Sequence, residues 1–99
     1  MIRVVAIVTA KPGRRDELLE LFKANVPSVL AEQGCHEYVP VVDASRTPAN
    51  MGPDTFVVIE TWESMEALVA HGSAPHMLAY RAASKDLVAG ASVHFLSPA

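Results

Sequence analysis

Two stretches of this sequence are apolar on both faces when drawn as extended chain, and they leave few folds open. Residues 2–10 put Ile2, Val4, Ala6 and Val8 on one side and Val5 and Ile7 on the other. Residues 55–62, Thr55-Phe56-Val57-Val58-Ile59-Glu60-Thr61-Trp62, repeat the pattern over most of their length. A strand covered on both faces needs this distribution of β-branched and aromatic side chains. The two segments are therefore expected to be the central pair of one sheet. With 99 residues the chain cannot build two separate cores against the entropy of folding, so a single domain over 1–99 is expected.

Between these strands the signals alternate. Pro12-Gly13 turns the chain, and Asp16 and Glu17 suit the first turn of a helix, where the dipole favours negative charge. Leu18, Leu19, Phe22, Val26, Val29 and Leu30 then recur at three- and four-residue spacing as one apolar stripe. Pro27 should kink this helix, leaving 14–26 as its sound part and 28–33 as a loosely joined last turn. Gly34 ends it. Residues 35–42 read as a strand that Pro40 consigns to an edge or a bulge, and 43–53 as a connecting loop rich in turn formers. Ser64 is a good N-cap for a short helix bearing Met65, Leu68 and Val69. Gly72 interrupts that helix before Ser73 and Pro75 start another, through Met77, Leu78 and Leu87. After Gly90, residues 91–97 alternate as a fourth strand.

The order is βαββαβ, which predicts an α+β, ferredoxin-like fold: a four-stranded antiparallel sheet with helices on one face. The other face is apolar too. At 51% hydrophobic and 19% charged residues, so small a chain would expose more apolar surface than a soluble monomer tolerates. A homodimer with two sheets face to face is the simplest cover, with Val5, Ile7, Val57 or Ile59 candidates for its interior. A formal net charge of -3 without a basic cluster beyond Arg14-Arg15 gives no footprint for nucleic acid. The lone Cys35 has no partner for a disulfide or a metal motif, and reads as a small buried hydrophobe in a reducing compartment. The opening segment, short and carrying Arg3, reads as a strand and not as an export signal, and nothing reaches membrane-spanning length. A cytoplasmic location is the expectation.

The segment Glu60-Thr61-Trp62-Glu63-Ser64-Met65-Glu66-Ala67-Leu68, followed by Ala70-His71-Gly72-Ser73-Ala74-Pro75-His76, resembles the antibiotic-biosynthesis monooxygenase family. Members commonly carry Glu-x-Trp on the third strand, Ala-Leu in the next helix, then a histidine, a small-residue break and a second histidine. Lys11-Pro12-Gly13, the helix from Asp16 to Phe22, and Gly34-Cys35 leading to Tyr38 fit the same pattern, so the resemblance covers nearly the whole chain. It implies a dimeric α+β barrel with a pocket in each subunit between helices and sheet. Active relatives oxidise quinols or polycyclic phenols with molecular oxygen and no metal or flavin, the substrate anion supplying the electron. Such chemistry needs a dry cavity, a base for the phenol proton and donors for the anion.

The resemblance makes particular residues candidates. His71 and His76 could take the phenol proton, since imidazole titrates near neutral pH; either could instead be a structural histidine. Trp62 could wall the pocket or donate its indole N–H to substrate, or simply fill the core. Tyr80, Tyr38 and Glu60 could meet the substrate, or be half-buried packing and hydrogen-bonded residues. A metal site is not expected: the histidines are five apart across a Gly72–Pro75 break, not at helical i, i+4 spacing. Active oxygenases of this kind often place an asparagine on the first strand, where this chain has only Val4, Val5, Ala6, Ile7, Val8 and Thr9. Haem degraders carry a ligating histidine about where this chain reads Tyr80-Arg81-Ala82, so haem oxygenation is disfavoured. Two readings follow: a cofactor-free monooxygenase acting on a quinol or aromatic polyketide-like phenol, and a non-catalytic dimeric small-molecule-binding module of the same fold.

Overall fold

The computed structural model describes residues 1–99. Its elements run β1 (Ile2–Ala10), α1 (Arg15–Leu30), β2 (Cys35–Val41), β3 (Thr55–Trp62), α2 (Met65–Gly72), α3 (Pro75–Ser84) and β4 (Val88–Leu96). The strands form one antiparallel sheet in the order β2-β3-β1-β4. The two doubly apolar segments are its central pair, joined in register from Ile2↔Trp62 to Thr9↔Thr55. This is the ferredoxin-like arrangement, with the second helical stretch divided into α2 and α3.

One face of the sheet carries the core. Val4, Ala6 and Ala10 of β1, Tyr38 of β2, and Phe56, Val58 and Trp62 of β3 pack against Leu18, Phe22 and Val29 of α1, Leu68 of α2 and Met77 of α3. The strand period of two leaves the opposite parity for the other face. There Val39↔Ile59↔Val5 and Val41↔Val57↔Ile7 form two aliphatic rows across three strands. Every helical residue of the core cluster meets the first face, so no helix covers these rows.

Three expectations require correction. First, α1 runs through Pro27 as one helix but ends at Leu30, short of the last turn expected over 28–33. Proline there removes one donor, but fully buried Val29 anchors the last turn to the core, and the Ala31 N–H donates to the Pro27 carbonyl at 3.1 Å. Leu30, counted in the apolar stripe, is instead exposed. Second, the helix from Pro75 ends at Ser84, and Leu87 sits buried in the turn beyond it, its carbonyl accepting from Lys11 N–H at 2.8 Å. Third, β4 starts at Val88, so Gly90 lies inside the strand; a register shift between Thr9 and Ala10 absorbs the extra residue. Cys35 is only partly buried, at the edge of the core.

The 43–53 loop is tied down at its ends. Asp43 Oδ2 accepts from the Met51 and Gly52 N–H groups at 2.8 and 3.1 Å, and Arg15 Nη1 donates to the Thr55 carbonyl at 3.2 Å. None of its residues borders the main cavity.

Candidate active site

Between α2, α3 and the helix-covered face of the sheet lies a cavity of about 650 Å³. Its wall is mostly apolar, and its polar groups come from a few positions that local structure fixes. Strand alternation turns Glu60 and Trp62 to the same side of β3. Cross-strand pairing then sets Tyr38, Glu60, Val4 and Phe95 in one row across the sheet, and all four line the cavity. On α2 the Ser64 hydroxyl accepts from Ala67 N–H at 3.2 Å and fixes where the helix begins. Leu68 and His71, three residues apart, then share its buried face.

His71 lines the cavity and is buried, under Trp62 (ring centroids 4.6 Å apart) and edge-on to Tyr38 (5.5 Å). Its Nδ1 lies 2.8 Å from Glu32 Oε2. An ionised carboxylate only accepts, so this bond puts the ring proton on Nδ1 and leaves the Nε2 lone pair free to act as a base. Trp62 is fully buried and is not part of the cavity wall; its indole N–H donates to Glu60 Oε1 at 2.9 Å. It therefore holds Glu60 in place. Burial raises the Glu60 carboxyl above the ordinary range, against the lowering effect of the Trp62 bond and the nearby His71. Tyr38 and Tyr80 both line the cavity, and burial raises both phenols, so they stay protonated donors. Phe22 binds the pair into the core, stacked on Tyr38 at 5.2 Å and edge-on to Tyr80 at 5.8 Å.

His76 sits apart. It borders a shallow hollow beside α1, not the cavity, and its Nε2 lies 2.7 Å from the same Glu32 Oε2. Two histidines separated by a helix break thus meet on one carboxylate oxygen. No group of three histidine, cysteine, aspartate or glutamate side chains is arranged to hold a metal ion.

The antibiotic biosynthesis monooxygenase family model matches residues 1–83. The chain belongs to that family. YgiN of Escherichia coli K12, named a probable quinol monooxygenase, is 41% identical over 102 residues, spanning 99% of this chain and 98% of that protein. Among solved structures, Rv0793 from Mycobacterium tuberculosis is 29% identical with a TM-score of 0.82, covering 99% of this chain and 94% of that one. PA3566 from Pseudomonas aeruginosa is 26% identical with a TM-score of 0.84, covering 99% and 93%.

In this member of the antibiotic biosynthesis monooxygenase family, the two histidines meet on a residue that sequence reading missed. Glu32 stands in the turn after α1, 39 positions from His71 and 44 from His76. No local pattern marks it. Only the fold of the 31–34 turn onto α2 brings it there, with the Glu63 N–H donating to the Gly34 carbonyl at 2.8 Å. Two cations, Arg81 of α3 and Lys85 just past its end, also reach the cavity, and Arg81 Nη2 donates to the Gly72 carbonyl at 2.8 Å. The cavity-facing positions of β1 are Val4, Ala6 and Val8, which present no amide.

Proposed function

We propose that this protein is a cofactor-independent monooxygenase that oxidises a quinol or polycyclic phenol with molecular oxygen, using His71 as its base. The observation that carries the reading is a buried imidazole whose Nδ1 is engaged by Glu32 while its ring borders an apolar cavity of about 650 Å³. His71 Nε2 takes a hydroxyl proton from the substrate, and the resulting anion passes an electron to dioxygen. One oxygen atom stays on the ring and the other leaves as water. Tyr38 and Tyr80 donate hydrogen bonds to the substrate oxygens, and Glu60, held by Trp62, offers a carboxyl close to the base. The mostly apolar wall lowers the local dielectric and strengthens each of these contacts. The 41% identity to a probable quinol monooxygenase supports the substrate class.

The working unit is a homodimer of single-domain subunits in a reducing cytoplasm, with the aliphatic rows of the bare sheet face as its interior. Val39 and Val41 on that face are otherwise exposed, while Val57 is already buried. No helix is long and apolar enough to cross a membrane.

Oxygen uptake by metal-stripped protein, with a panel of hydroquinones and naphthols against uncatalysed autoxidation, tests the reading. Uptake that requires His71 supports it; no enhancement with any panel member overturns it for these substrates. The amide-free cavity face of β1 favours one second reading, a dimeric module that binds a small aromatic without turning it over. Quenching of Trp62 fluorescence by the same compounds, without oxygen uptake, would select that reading.

A further inference from the structure

We propose that Glu32 and His76 form a positioning pair that never touches substrate but fixes the tautomer of His71 and sets its strength as a base. The proposal rests on the monooxygenase reading only for its kinetic consequence. The geometry is that of one carboxylate oxygen, Glu32 Oε2, bonded to two imidazoles: His71 Nδ1 at 2.8 Å and His76 Nε2 at 2.7 Å. The side chains become more accessible outward, 9% for His71, 13% for Glu32 and 27% for His76. His71 lines the cavity, and His76 borders a separate hollow.

An acceptor that serves two donors divides its charge between them. Glu32 stabilises the imidazolium that His71 becomes after taking a proton. The His76 N–H withdraws part of that stabilisation, and more when His76 is itself cationic. The outer histidine therefore competes for the same carboxylate oxygen that the His71 ring proton engages. Other groups around His71 act in fixed directions: Glu60 of β3 adds negative charge, while Tyr38 of β2 and Trp62 of β3 are neutral. Arg81 of α3 and Lys85 just past its end add positive charge at the cavity wall. Around His76 the α1 neighbours, Leu21, Ala24 and Asn25, are uncharged, so Glu32 is its one ionic contact.

The test is a nitrogen NMR titration of substrate-free dimer carrying ring-labelled histidine, with the His71 signals assigned by loss in His71→Gln. The expected result is a neutral His71 ring protonated on Nδ1. Glu32→Gln should move its midpoint down by about one pH unit, and His76→Leu up by about half a unit. His76→Gln, which keeps a donor for Glu32, should restore the wild-type midpoint, a rescue that a merely packing role would not give. The low-pH limb of the oxygen-uptake profile should move in the same directions, with KM little changed. A His71 midpoint unmoved by His76→Leu, or a ring protonated on Nε2, would overturn the proposal. Absence of turnover with these NMR shifts intact would count against the monooxygenase reading alone.

Discussion

A methyl group built on Gly34 would stand 2.7 Å from the Cβ of Ala67, closer than two carbons can approach. Gly34 also holds a positive φ of 85°, a conformation that costs an L-residue about 1–2 kcal/mol. This contact seats the turn bearing Glu32 on the helix bearing His71. Gly34→Ala should therefore cost about 3 kcal/mol, from strain plus overpacking. For a chain of this length that means a thermal midpoint roughly 15 °C lower by calorimetry. Adding Ala67→Gly should recover the steric part and leave the backbone part.

His71→Ala should lower kcat for any quinol that the protein oxidises by about 10²–10⁴-fold, the usual share of a positioned base. Steady-state oxygen uptake reads the loss, and an unchanged sedimentation profile shows that assembly survives. A rate within a factor of two of wild type would remove His71 as the base.

Glu60 gives a pH-dependent prediction. A carboxyl raised by burial holds its proton more tightly folded than unfolded. Its contribution is then fully present below the unfolded value, about 4.3, and is lost as pH climbs through the folded one. Glu60→Gln keeps an oxygen acceptor for the Trp62 indole and abolishes the charge. Urea midpoints should show the variant more stable than wild type near neutral pH, with the gap closing toward pH 4. A variant less stable at pH 7 would mean that the carboxylate is well paired.

What could be read from residue order, and what could not, follows from how far each relationship reaches along the chain. The central strands were legible because Val4 through Val8 and Phe56 through Ile59 declare themselves within eight residues. The start of α2 was legible from Ser64 alone. The tight last turn of α1 and its end at Leu30 were not, because they depend on the burial of Val29 against a sheet formed elsewhere. The same holds at the site. Glu60 and Trp62 are two residues apart and their partnership follows from strand alternation, whereas Glu32 reaches His71 only through the seating of Gly34 on α2.

Ile59 sits mid-row on the bare sheet face, between Val5 and Val39. If that face forms the proposed dimer interior, Ile59→Arg should place a charge in it and convert the protein to monomer. Sedimentation or light scattering reads the mass, and a dimer of undiminished affinity would move the interface to another surface.

The Cys35 thiol is pushed up to about 11, first by burial and then by Glu32 and Glu60. At pH 8 only about one molecule in a thousand carries the thiolate. Reaction with a chromogenic disulfide should be about a hundredfold slower than for a free thiol at that pH, and should accelerate steadily up to pH 11. Rapid labelling at pH 7 would contradict this.

The cavity wall is divided by strand: β1 and β4 contribute only Val4, Ala6, Val8, Val88, Ala91, Val93 and Phe95, while the titratable groups come from β2, β3 and the helices. Shape and reactivity are thus written in separate parts of the chain. A lineage could exchange Val93 or Phe95 for larger or smaller residues, and so change which molecule is admitted, while the titratable residues descend unaltered.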